Sequence, residues 1–102
     1  MAEPEQLNIY LIFNSIHNVM LAEELLLQDD IPVEMVPVPR ELSSDCGMSL
    51  YCRMSDLKKI ELIFAQATFT SEVLIYCGSK QNESMAREFE FVLRVPATGR
   101  QA

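Results

Sequence analysis

The sequence has few of the residues from which elaborate active sites are assembled. Of its 102 residues, one is histidine, three are glycine and three are cysteine. An odd number of cysteines, with no Cys-x-x-Cys and no regular spacing, indicates neither a disulfide framework nor a cysteine-only zinc site. A mixed site would require Cys46, Cys52, Cys77 and His17 to converge, so no metal is expected. The glycines form no phosphate-cradling loop and no carboxylate pair is placed for acid–base work, so no cofactor is expected either. Positive charge is also scarce, with 8 lysines and arginines against 15 aspartates and glutamates, a net charge of −7. That balance excludes nucleic acid and an anionic membrane surface as expected partners, because both attract a basic face. No apolar run approaches the roughly 18 residues of a membrane span. The opening Met-Ala-Glu-Pro-Glu has neither the basic flank nor the apolar core of a secretion signal, so the expected compartment is the cytoplasm.

What is present is an ordinary globular balance, 49% hydrophobic and 23% charged, in a length that supports one core. Residues 1–6 are polar and expected to fray. Leu7 to Phe13 is a nearly continuous β-prone run, the pattern of a strand central in its sheet. Ser15 is placed to cap a helix from Ile16 to Gln28, with Val19, Ala22, Leu25 and Leu26 at helical spacing, closed by Asp29 and Asp30. Ile31 to Val38, interrupted by prolines, reads as an edge strand, since each proline removes a ladder donor. Met48 to Arg53 reads as a strand, Ser55 as the cap of a helix from Asp56 to about Ala67, and Glu72 to Cys77 as a further strand. In residues 79–102, a C-terminal extension, Glu88 to Val95 alternates like an added strand, while Ser84 offers a competing helix start. Such a strand needs a sheet edge to join, either the chain's own or that of a partner subunit in a homodimer.

The order strand, helix, strand, strand, helix, strand over residues 7–78 predicts an α+β, ferredoxin-like split βαβ fold: βαββαβ, an antiparallel four-stranded sheet with two helices on one face. In that topology the end of the first strand, the start of the first helix and the hairpin between strands two and three share one rim. His17 and Cys46 therefore fall on that rim, and Cys52 and Cys77 toward the other. The hairpin contains Pro39-Arg40-Glu41-Leu42-Ser43-Ser44-Asp45-Cys46-Gly47, where Gly47 admits positive φ or the close approach of another group, and Ser43, Ser44 and Asp45 favour turns. A cysteine in such a loop, near a helix N-terminus, is a candidate acidic thiol, with Arg40 and His17 adding to the effect. The plainer alternatives are a turn cysteine of ordinary reactivity, a surface ion pair at Arg40 and a polar helix residue at His17. Cys52 and Cys77, inside apolar strands, read as inert packing residues.

The run from Ile31 to Tyr51, above all Pro39-Arg40, Ser43 and Cys46-Gly47, closely resembles the signature of the selenium/sulfur carrier-like proteins, a family of small bacterial and archaeal chains. Tyr10 to His17 with Ala22-Glu23 resembles the family's opening. Two departures are Asp30, where a glycine is expected, and the polar Ser49. The resemblance implies a cysteine, Cys46, that holds sulfur or selenium as a persulfide or selenopersulfide and hands it on. Arg40, Ser43, Ser44, Gly47 and His17 would be the surrounding binding residues, and a cysteine desulfurase or selenium donor and an acceptor protein the partners. This agrees with the chemistry of the loop, since a carrier needs one accessible thiol with anion-stabilising neighbours rather than a turnover active site. The alternative is a non-catalytic anion-binding or protein-assembly module in which the cysteine is incidental.

Overall fold

The computed structural model describes residues 7–42, 46–79 and 89–97. The elements run β1 (Leu7–Ile12), α1 (Ile16–Gln28), β2 (Glu34–Pro37), β3 (Met48–Arg53), a 3-10 turn (Met54–Asp56), α2 (Leu57–Ala65), β4 (Val73–Ser79) and β5 (Phe89–Val95). The expected frayed start and the competing helix from Ser84 lie outside the described residues.

All five strands join one sheet in the order β2-β3-β1-β4-β5, with every neighbouring pair antiparallel. The first four reproduce the expected split βαβ layout, and β5 extends it on the outer edge of β4. The added strand thus finds its edge within the chain. Its ladder with β4 slips by one register step between Ile75 and Tyr76, a bulge that leaves Val95 and Leu93 opposite Val73 and Ile75 on the core side and turns Phe91 and Phe89 to the opposite face, against Tyr76 and Gly78. β1 is central because its side chains are apolar on both faces: Ile9 and Leu11 are fully buried, and Tyr10 and Ile12 on the opposite side are nearly so. Ile9, Leu11 and the following Phe13 pack with Val19, Ala22 and Leu26 of α1, Ile60 and Phe64 of α2, and Phe69, in one continuous core. Both helices therefore lie on one face. On the other face the aromatic rings cover one another across the strands, with Tyr10 and Tyr51 at 4.9 Å between centroids, Tyr10 and Phe89 at 5.3 Å, and Tyr76 and Phe91 at 5.6 Å.

α1 begins and ends where its sequence signals fall. Ser15 is extended (φ −144°, ψ 135°) and its hydroxyl accepts a hydrogen bond from the His17 amide at 3.1 Å. At the other end the amide of Asp30 donates to Leu27 at 3.0 Å and that of Ile31 to Leu26 at 2.9 Å, the paired bonds of a Schellman closure. Ile31 and Leu26, both buried, supply its hydrophobic contact. The motif forces the intervening residue into the left-handed region, and Asp30 adopts φ 60° there. An aspartate tolerates this at a cost that glycine avoids. Asp30→Gly is accordingly expected to stabilise the protein by up to about 1 kcal/mol, read as a higher denaturant midpoint at unchanged m-value.

Three of the boundaries that differ from the sequence reading have a local cause. β2 spans only Glu34–Pro37, because Ile31 is taken up in closing α1 and Pro32 has no amide to donate. Ser55 does not cap α2; the 3-10 turn carries the chain past it to Asp56 at the cap position, and that side chain is turned instead to Arg53, 3.1 Å away. α2 stops at Ala65 rather than Ala67, because the amides of Gln66 and Ala67 bond to carbonyls three residues back and tighten the last turn.

Candidate functional site

The site grows from the β2–β3 hairpin. Pro37 faces Met48 in the ladder, and one further bond, from the Val38 amide to the Gly47 carbonyl at 3.0 Å, continues the pairing beyond the strand ends. That places Pro39 and Cys46 at the neck of the loop. Pro39 is buried and closes a turn in which the Leu42 amide donates to its carbonyl at 2.9 Å, with Arg40 and Glu41 as the two exposed corner residues. On the returning side Gly47 has φ 79°, while the space where a side chain would begin is open. Glycine is needed there for backbone conformation and not for room, at a cost of roughly 1–2 kcal/mol to a residue with a Cβ.

Strand periodicity turns Cys46 to the same side as Met48, Leu50 and Cys52, so its side chain is half-buried against the core. Its Sγ lies 3.3 Å from the carbonyl oxygen of Phe13 and 3.3 Å from that of Met48. Both are acceptors for a thiol proton, which can serve one at a time. The contact with Phe13 fixes Cys46 at the exit of β1, just ahead of α1, as the topology predicts. The sequence places this thiol near the start of α1; its contacts with Phe13 and Met48 are to backbone carbonyls, one just past β1 and one at the start of β3.

His17 is exposed at the second position of α1 on this rim, and Arg40 is exposed at the hairpin turn. Ser43 and Ser44 lie outside the described residues. Three residues that sequence reasoning did not single out also belong to the rim. Asn18 is buried in the first turn of α1, and its amide nitrogen donates to the hydroxyls of Thr70 at 3.0 Å and Ser71 at 3.1 Å, tying the entry of β4 to the start of the helix. The signal was available: Asn18 lies four positions before Ala22 on the buried stripe, and a polar residue on such a stripe needs a partner.

Cys52 and Cys77 stand apart from Cys46. Both pair with Ile9, one on each side of β1, which is four residues, or about 13 Å of strand, from Phe13. With β1 between them they are about 10 Å apart, beyond disulfide reach. Burial pushes the Cys52 thiol from 9.0 up to about 12, with the Asp56 carboxylate adding to the shift. The Cys77 thiol is also raised, by burial and then by Glu90. Among the described residues no cluster of three or more metal-ligating side chains occurs, and no helix is long and apolar enough to cross a membrane.

Comparison with known proteins gives one match. A sequence model of the family described as "Putative Se/S carrier protein-like" matches residues 8–73. That stretch runs from β1 through the hairpin and α2 to the start of β4, and leaves β5 outside. No curated protein and no solved structure matches the chain. Since the matched region takes in most of the sequence, including the whole cysteine hairpin, the chain belongs to the Se/S carrier protein-like family.

Proposed function

We propose that this protein carries sulfur or selenium on Cys46, as a persulfide or selenopersulfide, in the cytoplasm. The observation that carries the reading is the separation of its three thiols. Cys46 sits at the neck of the family's hairpin on the rim, while Cys52 and Cys77 lie deep along the strands with their thiolates disfavoured. Loading is an exchange without net oxidation. The Cys46 thiolate attacks the outer sulfur of a donor persulfide, a new sulfur–sulfur bond forms as the donor's bond breaks, and the donor leaves as a thiolate. Unloading is the same step with an acceptor thiol as nucleophile. Arg40 and His17, exposed on the same rim, offer cation and donor groups to the anionic sulfur species in transit.

Incubation with a cysteine desulfurase and cysteine, followed by intact mass spectrometry without reductant, is expected to show discrete sulfur increments that disappear in Cys46→Ser and on treatment with dithiothreitol. An unchanged mass would favour an anion-binding or assembly module with an incidental cysteine.

A further inference from the structure

The outward side of α1 carries large apolar side chains: Ile16 is 39% exposed, Met20 56% and Leu27 53%. With Glu23 they occupy positions 16, 20, 23 and 27, the alternating four-and-three spacing that aligns side chains along one seam of a helix. The core does not account for this seam, since the buried side of α1 is made by Asn18, Val19, Ala22 and Leu26. The seam starts at the candidate site: Ile16 is the first residue of the helix, three positions after the Phe13 carbonyl that touches Cys46. It ends about 16 Å away at Leu27.

Charge selects what fits it. Glu23 interrupts the apolar seam, exposed Glu24 flanks it, and Asp29 and Asp30 lie at its far end, with no basic residue in the helix's last turn. A second copy of this chain is a poor occupant, because antiparallel pairing of α1 with itself brings Glu23 and Glu24 of both copies together near the twofold axis, and each chain carries a net charge of −7. A surface with apolar side chains bordered by lysine or arginine is complementary.

We propose that the α1 seam Ile16–Met20–Glu23–Leu27 is the docking surface for the protein that delivers sulfur to Cys46, a persulfide-bearing desulfurase presenting an apolar patch with a basic border. The proposal rests on the carrier reading. Docking along the helix brings the donor's persulfide to the rim where the half-buried thiol is reached, so delivery by a protein depends on the seam, whereas delivery by a small molecule does not.

The test compares the loading rate of Cys46 from a purified cysteine desulfurase with cysteine against its loading rate from inorganic polysulfide. It uses the full chain, the double variant Met20→Ser with Leu27→Ser, and the double variant Glu23→Lys with Glu24→Lys. Each variant is expected to slow desulfurase loading by at least about tenfold while polysulfide loading stays within about twofold of wild type. Desulfurase loading of the wild type is also expected to slow as salt rises, a readout independent of any variant's folding. Equal desulfurase loading of all three proteins, or wild-type loading that ignores salt, overturns the docking surface and leaves the carrier reading standing. So does a wild type that loads from polysulfide alone. A wild type that loads from neither source overturns the carrier reading, and this proposal with it.

Discussion

Brief alkylation of the folded protein with iodoacetamide near pH 8 is expected to modify Cys46 first and to leave Cys52 almost untouched. The thiolate is the reacting species, and a thiol raised from 9.0 to about 12 holds roughly a thousandfold less thiolate at that pH than an ordinary one. Restricted access to a side chain that is 2% exposed slows Cys52 further. Cys77, half-buried and raised in the same direction, should fall between the two. Peptide mapping of one short reaction ranks all three sites, and addition of denaturant should make their labelling converge. Equal labelling in the native protein, or labelling that begins at Cys52 or Cys77, would remove the physical basis for assigning cargo to Cys46.

The same buried thiol should make the protein sensitive to alkali. In the folded state Cys52 keeps its proton up to about pH 12, whereas in the unfolded chain it loses it near its ordinary value of 9.0. The stabilising contribution is therefore complete below pH 9 and is lost as pH rises toward 12, because over that interval the folded state binds a proton that the unfolded state has released. The slope is about 1.4 kcal/mol per pH unit, on the order of 4 kcal/mol across the window. Denaturant unfolding from pH 8 to 11 should show this decline in the wild type and a shallower one in Cys52→Ala. That variant will itself be somewhat less stable at neutral pH for want of the sulfur's packing. Parallel profiles would mean that Cys52 is more hydrated than its position opposite Ile9 implies.

Much of the fold is legible from short-range signals. The bounds of α1 follow from Ser15 as a hydroxyl cap and from an apolar stripe that ends at Leu26, and the edge position of β2 follows from Pro32, Pro37 and Pro39. The central place of β1 follows from residues that are apolar on both faces. The start of α2 was misread because Ser55 and Asp56 both qualify as caps by composition, and the contact with Arg53 that engages Asp56 is made only once the 3-10 turn has formed.

By itself the sequence determined the order of elements, the hairpin that holds Cys46 and the freedom of Gly47 to take positive φ, since each depends on local backbone preference and side-chain period. Tertiary structure alone decided where β5 attaches, what Cys46 touches and why Asn18 is buried. The sequence left open which edge β5 would use, and the free edge of β4 lay within the chain. The oxygens beside the Cys46 sulfur belong to the backbone of Phe13, 33 positions away, and of Met48, two positions on. Backbone carbonyls are the same at every residue, so no side-chain pattern marks the ones that a fold will bring to a thiol.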